Sequence, residues 1–315
     1  MSQVTSQEPT AAMMSERSLR AMVAGRLSDH LTLVKPGITV MVLITAAIGF
    51  AFGAGSSLGG WTSGAWWWLL AVTVVGAGLS CMGAGTLNQV LERDTDQSMT
   101  RTKDRPLPAG RMPMGEALAQ GLALAVAGVM VLWLGGNLLS ALLSAFTIVC
   151  YVMVYTPLKR LSWTSTQVGA VPGAMPPVIG YAVAAGYVGP EALLLFAIMA
   201  LWQIPHFLAI GILCRDDYAA AGMPILPVLD GETGRRTHRW NVATAVALLV
   251  AGVSPTLLGY TGWLAFGVAL VCGVWFVLLA IRLVYDPSRA RARALFLASL
   301  VYLPLVLGVL VLDRV

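Results

Sequence analysis

Residues 66–110 read WWWLLAVTVVGAGLSCMGAGTLNQVLERDTDQSMTRTKDRPLPAG. From Trp66 to Leu91 there is no charged side chain, and a helix needs roughly 20 apolar residues to cross a bilayer. From Asn88 to Gly110 the same stretch packs four acidic and four basic side chains into 23 residues. The rest of the chain cannot dilute such a knot in water, because it is 57% hydrophobic and only 11% charged over 315 residues. A soluble domain carries about 25% charged residues, so the composition excludes one and points to a polytopic membrane protein.

Eight further apolar segments surround this one, giving nine spans at 37–56, 66–91, 113–133, 138–156, 165–186, 190–214, 241–258, 262–283 and 294–312. Basic residues test the count, since lysine and arginine collect on the cytoplasmic side. With nine spans, the N-terminal tail and the loops after spans 2, 4, 6 and 8 share one side. They hold 19 of the 20 lysines and arginines, leaving only Arg314 outside. The expected fold is an all-α integral membrane bundle of nine transmembrane helices, N-terminus cytoplasmic and C-terminus on the opposite side.

Residues 1–34 form a polar tail ahead of a transmembrane domain at 35–315. The tail lacks the apolar core and cleavage site of a secretory signal. An interfacial helix is expected near Arg20–Leu33. The net charge of +5 needs no nucleic-acid partner, because basic loops at a lipid bilayer explain it. Cys81, Cys150, Cys214 and Cys272 are scattered without short spacing, which argues against a disulfide framework or a cysteine metal site.

The acidic residues form two cytoplasmic clusters: Glu92, Asp94, Asp96 and Asp104, then Asp216, Asp217, Asp230 and Glu232. Four spans separate them, so two acidic loops are expected to face one central cavity. Asn88, Glu92 and Asp96 recur at i, i+4 and i+8 and share one face if the second helix continues that far. Such oxygen donors suit a hard cation, and Mg²⁺ takes one or two carboxylates while drawing other ligands from water and phosphate. Asp94 falls on the opposite face unless the helix unwinds. Arg101, Lys103 and Arg105 follow, and Lys159 and Arg160 end the fourth span. Acids that hold a metal beside bases that neutralise phosphate are what a metal–diphosphate requires. The plainer alternative is a solvated loop carrying topology signals. His206, beside Pro205 inside the sixth span, is an intramembrane ionisable group and so a functional candidate. Its plain alternative is a ring satisfying a carbonyl freed by the proline.

Together these residues resemble the UbiA superfamily of intramembrane prenyltransferases, and within it the branch that farnesylates haem. The superfamily motif N-D-x-x-D-x-x-x-D maps onto Asn88, Gln89, Glu92 and Asp96. The haem branch's pattern, N-x-x-x-[DE]-R-D-x-D-x-x-M-x-R-T-x-x-R-P-L-P-x-G, runs unbroken from Asn88 to Gly110. YTPLKR at 155–160, GAMPPVIGY at 173–181, WQIPHF at 202–207 and DDYxxAGMPILPV at 216–228 are similar to that branch as well. Gln89 and Glu92 stand where superfamily aspartates are usual. Cys214 and Tyr218 replace the outer aspartates of the second motif, leaving Asp216 and Asp217.

The resemblance implies farnesyl transfer from farnesyl diphosphate to a vinyl group of haem B, with addition of water, giving haem O. It implies Mg²⁺ as cofactor, haem B as substrate, and the bacterial inner membrane as location. A downstream haem-modifying enzyme or oxidase assembly is an implied partner. It assigns the metal to Asn88, Glu92, Asp96, Asp216 and Asp217, with Asp94 in reserve. The diphosphate falls to Arg101, Lys103, Arg105, Lys159 and Arg160, and the haem or its vinyl group to His206. Rival readings are a UbiA-type enzyme acting on an aromatic or quinone precursor, a membrane transporter, and a non-catalytic haem-holding assembly factor. A transporter usually places charge near the midplane on broken helices, whereas here both acidic clusters lie at one surface.

Overall fold

Backbone groups in lipid must be satisfied within their own segment, so apolar runs of this length fold as helices. A computed structural model describes residues 23–55, 58, 60–231 and 234–315. Among them nine helices are long and apolar enough to cross a membrane. They are α1 (Pro36–Ala54), α2 (Gly64–Gln97), α3 (Met114–Gly135), α4 (Leu138–Leu158), α5 (Ser165–Ala185), α6 (Pro190–Leu213), α7 (Arg235–Leu257), α8 (Trp263–Tyr285) and α9 (Arg289–Leu312). The nine expected spans are thus all helical. The first 22 residues of the tail, and Glu232 of the second acidic cluster, lie outside the described residues.

Close packing in lipid depends on small residues at crossings. A Cβ on Gly49 of α1 would collide with the Pro177 carbonyl of α5, and one on Gly180 of α5 with the Ala46 carbonyl of α1. These two helices therefore touch backbone to backbone. Their neighbours α2, α3 and α4 complete one half of the bundle, while α6, α7, α8 and α9 pack as the other.

Three local features position the end of the bundle that carries the acidic loops. First, α2 has 34 residues, which at 1.5 Å each is about 50 Å, well beyond a hydrocarbon core of roughly 30 Å. Its last turns project past the membrane as a rigid arm. Second, α4 widens into a π-helical turn at Cys150–Tyr155. Pro157 explains it: without an N–H it leaves the Met153 carbonyl without its usual partner, and its ring crowds that carbonyl. The Thr156 hydroxyl donates to the Tyr151 carbonyl at 2.8 Å, so the widened turn is satisfied.

Third, residues 23–33 are helical ahead of α1, as expected for an interfacial segment. Val23, Leu27 and Leu31 make an exposed apolar stripe along it. Arg26 pairs with Glu116 at 3.1 Å, and His30 Nδ1 lies 2.6 Å from Gln120 Oε1, tying its polar face to α3. Lys35 joins this segment to α1 at φ 50°, the one non-glycine residue with positive φ among those described. Holding a lysine in that left-handed region costs of order 1–3 kcal/mol.

Candidate functional site

Because α2 stays helical to Gln97, Asn88, Glu92 and Asp96 line one face of its projecting arm. All three are buried, at 0%, 5% and 1% relative exposure. Each meets a cation brought by a different segment. Lys35 Nζ donates to Asn88 Oδ1 at 2.6 Å, Lys159 Nζ to Glu92 Oε1 at 2.8 Å, and Arg105 Nη1 to Asp96 Oδ2 at 2.7 Å. Asn88 Nδ2 donates to the Thr156 hydroxyl at 3.0 Å, which docks the arm on the proline-bent end of α4. Lys159 also lies over the Tyr155 ring, 4.7 Å from its centroid. The Thr102 hydroxyl donates to the Asp96 carbonyl at 3.0 Å, fixing the turn that returns Arg105 to the arm.

Three cations thus face two carboxylates. Burial lowers the Lys35 pKa to about 7, and repulsion from Lys159 adds to the effect. An anion bound beside these cations would favour the charged form of Lys35.

The second acidic loop reaches the same place. The backbone N–H of Thr100 donates to Asp217 Oδ1 at 3.1 Å, joining the loop after α2 to the short helix Arg215–Ala220. Met99, Met223 and Ile225 pack beneath that link. Asp216 does not follow Asp217: its side chain is 89% exposed and 3.8 Å from Arg289. Asp230 instead caps α7, accepting from the Thr237 N–H at 2.6 Å.

Two cavities open on the cluster. The larger has about 700 Å³ of empty space, counting the part open to the surroundings, between α1, α2, α4 and α5. Lys35 and Gly85 lie at the end nearest the cluster, and its walls are almost wholly apolar. The smaller, with about 430 Å³ of empty space, lies on the other side of Lys159 and Tyr155. Ser165, Thr166, Phe207, Tyr218 and Pro227 line it.

Several sequence candidates stand apart. Asp94 points away on the solvent side of α2, its side chain 86% exposed and 3.9 Å from Arg93; the helix does not unwind to bring it in. Arg101 and Lys103 are exposed on the loop. Arg160 is exposed and donates to the Leu91 carbonyl at 2.9 Å, bracing the arm. His206 shares its ring nitrogen Nδ1 with the Ser299 hydroxyl at 2.6 Å. The ring stacks on Trp202 and tilts against Phe296, at 4.8 and 5.1 Å between centroids. It is a buried tie between α6 and α9 and lines neither cavity. Lys35 was missed as a site residue because a lysine before a span reads as a topology signal. The signal was its Pro36 neighbour, which forces an abrupt helix start and leaves the ammonium at the bundle mouth.

Among the described residues no three His, Cys, Asp or Glu side chains converge to hold a metal unaided. The donor set is one amide and two carboxylates, all hard oxygens, and the paired cations occupy one oxygen of each carboxylate. Mg²⁺ accepts so few protein ligands when phosphate supplies the others. Neighbouring donors along this face, Asn88 with Glu92 or Glu92 with Asp96, therefore supply the few protein oxygens needed by a Mg²⁺ that arrives with a diphosphate.

The sequence profile of the UbiA prenyltransferase family matches residues 42–303. The chain is 45% identical over 298 residues to a protoheme IX farnesyltransferase of Solibacter usitatus (strain Ellin6076), covering 91% of this chain and 99% of that one. It is 40% identical over 290 residues to one of Opitutus terrae (strain DSM 11246 / JCM 15787 / PB90-1), covering 92% and 95%. Among solved structures it is similar to a digeranylgeranylglyceryl phosphate synthase, with TM-score 0.74 at 15% identity over 92% of this chain and 98% of that one. It is also similar to a UbiA homolog from Archaeoglobus fulgidus bound to DMAPP and Mg²⁺, with TM-score 0.66 at 15% identity over 90% and 99%. At such low identity these structures speak to the fold alone. The profile covers α2 through α8 entire and the relatives match nearly end to end, so the chain belongs to the UbiA prenyltransferase family.

Proposed function

We propose that this chain transfers a farnesyl group from farnesyl diphosphate to a vinyl group of haem B, with water, giving haem O and diphosphate. The observation that carries this reading is the buried cluster of Lys35, Arg105 and Lys159 on Asn88, Glu92 and Asp96, set at the mouth of an apolar slot. Relatives over nearly the full length are protoheme IX farnesyltransferases, which selects haem B as the acceptor.

In the reaction the C1–O bond to diphosphate breaks as the vinyl π electrons form a bond to C1. A water oxygen then adds to the resulting cation beside the ring, and its proton leaves to diphosphate or solvent. Asn88, Glu92 and Asp96 would supply the oxygens that hold Mg²⁺, and Asp217 would add one from the second loop. Bound there, Mg²⁺ stabilises the charge that develops on the leaving diphosphate. Arg105, Lys159 and Lys35 exchange part of their contact with the arm for phosphate oxygens, adding fixed electrostatic stabilisation. The apolar slot holds the farnesyl tail and keeps bulk water from the allylic cation. Haem B enters from the side of the smaller cavity, where Tyr155 and Lys159 must move aside for its vinyl carbon to touch C1. The protein lies in a bacterial plasma membrane with its N-terminus cytoplasmic.

The test is mass spectrometry of products from membranes given farnesyl diphosphate, Mg²⁺ and equimolar haem B and an aromatic acid. The reading expects haem to gain farnesyl plus water while the acid is unchanged. Farnesylation of the acid instead would establish the aromatic-acceptor reading, and no transfer at all would overturn both.

A further inference from the structure

The short helix Arg215–Ala220 forms one wall of the smaller cavity, because its Tyr218 belongs to the lining. Tyr218 also packs against the cluster of Met99, Met223 and Ile225, which joins that wall to the loop after α2. Two arginines therefore flank Tyr218. Arg215 stands three residues before it, one turn away on the same face of the helix. Arg101 directly follows Thr100, whose N–H is bonded to Asp217 at 3.1 Å. Arg26, Arg105 and Arg111 are each held by a carboxylate. Among the described residues, neither Arg101 nor Arg215 has an ion pair or a side-chain hydrogen bond.

We propose that Arg101 and Arg215 receive the two propionate carboxylates of haem B and so orient its ring; the proposal rests on the farnesyl-transfer reading above. Haem B carries its vinyl groups and its propionates on opposite halves of the ring. With a vinyl group turned to Tyr155 and Lys159, the propionates point away from the metal–diphosphate cluster. The lining gives them no free cation. Lys159 is the one charged residue in it, and its ammonium is already held by Glu92 at 2.8 Å. A carboxylate buried without a partner is costly, so the propionates settle where an arginine is unengaged. Arg101 is exposed and Arg215 half-buried, so both can reach a carboxylate at the edge of the cavity. A guanidinium grips a carboxylate through two parallel N–H···O bonds, and two guanidinium groups match two propionates. Phe207, Leu208, Ile225 and Pro227 give the ring itself apolar walls. The loop after α2 then divides its arginines between the substrates. Arg105 returns to Asp96 and the donor, while Arg101, four residues earlier, serves the acceptor. Both are positioning residues for haem, since the bond-forming vinyl carbon lies on the far half of the ring.

Haem B and its dimethyl ester, which carries neither propionate charge, separate this role from others. Wild type, Arg101→Gln and Arg215→Gln are assayed with each acceptor, farnesyl diphosphate and Mg²⁺, reading KM for acceptor and donor from initial rates. Wild type is expected to show a KM for the ester about tenfold above that for haem B, the scale of losing a hydrogen bond to a charged group. Each variant is expected to raise the KM for haem B about tenfold. Its KM for the ester and for farnesyl diphosphate should stay within twofold of wild type. A rise in the donor KM instead would place these arginines on the diphosphate and overturn the proposal. So would an equal rise for both acceptors, which is what a purely structural role gives. If neither variant accumulates in the membrane, wild type decides by itself: equal KM values for haem B and its ester overturn the proposal and leave the farnesyl-transfer reading standing. A wild-type protein that transfers no farnesyl group to either acceptor overturns that reading, and this assignment with it.

Discussion

Asp96 and Asp94 are two residues apart on one helix, yet they have opposite surroundings. Asp96 is buried with Arg105 at 2.7 Å, whereas the Asp94 side chain is 86% exposed. Asp96→Ala is expected to reduce kcat/KM by about 10²–10³, the scale of losing one fixed group that stabilises transition-state charge. Asp94→Asn is expected to stay within twofold. A coupled assay of diphosphate release, normalised to membrane-inserted protein, checks both. Lys35→Met removes a charged hydrogen bond, worth about 1.5–3 kcal/mol, from the cluster that would receive phosphate. Its KM for farnesyl diphosphate is expected to rise roughly 10- to 100-fold while that for haem holds, read from initial rates at varied concentrations of each substrate. The i, i+4, i+8 spacing made the acidic face legible without coordinates. Lys35 was not legible, because its place in the cluster arises from its contact with Asn88, 53 residues further along the chain. For His206 the sequence leaves a functional and a plain reading open: Pro205 and the apolar context mark it as unusual, and the fold adds its contact with Ser299 of α9.

The elements that make the site are helix ends where local chemistry departs from an ordinary α-helix. The π-helical turn of α4 carries Tyr155 toward Lys159, and Pro157 is its cause. Pro157→Ala restores a donor and permits the turn to tighten, which rotates Lys159 away from Glu92. About a 10²-fold loss of kcat/KM is expected, with little change in the thermal midpoint measured on detergent-solubilised protein. An unchanged rate would show that the widened turn does not position Lys159. The nine spans were legible because lipid leaves helix as the only choice for long apolar runs. Their ends were less so. Hydropathy placed the start of α7 at residue 241, yet the helix begins at Arg235, since arginines at the membrane surface remain helical outside the hydrocarbon. For the same reason α2 runs on to Gln97, beyond the last apolar residue of its span.

At the scale of the whole molecule, the distribution of charge puts both acidic loops and the interfacial helix on one side. An epitope fused to the N-terminus is expected to be protected from protease in intact spheroplasts, and one fused to the C-terminus to be cleaved. Protection of both would require an even number of spans and would break the pairing of the two acidic loops. The pairing itself is visible in the link between Thr100 and Asp217, which closes the two halves of the bundle over the cluster. The account joins a polyanion site, an apolar slot and a second cavity into one reaction that consumes water only after the new carbon–carbon bond forms. Single-turnover mass spectrometry tests that directly, using purified protein with haem B, farnesyl diphosphate and Mg²⁺ in ¹⁸O-labelled water. The account predicts haem carrying one farnesyl group and one ¹⁸O-labelled hydroxyl. Unmodified haem, or farnesylated haem without the labelled oxygen, would contradict it.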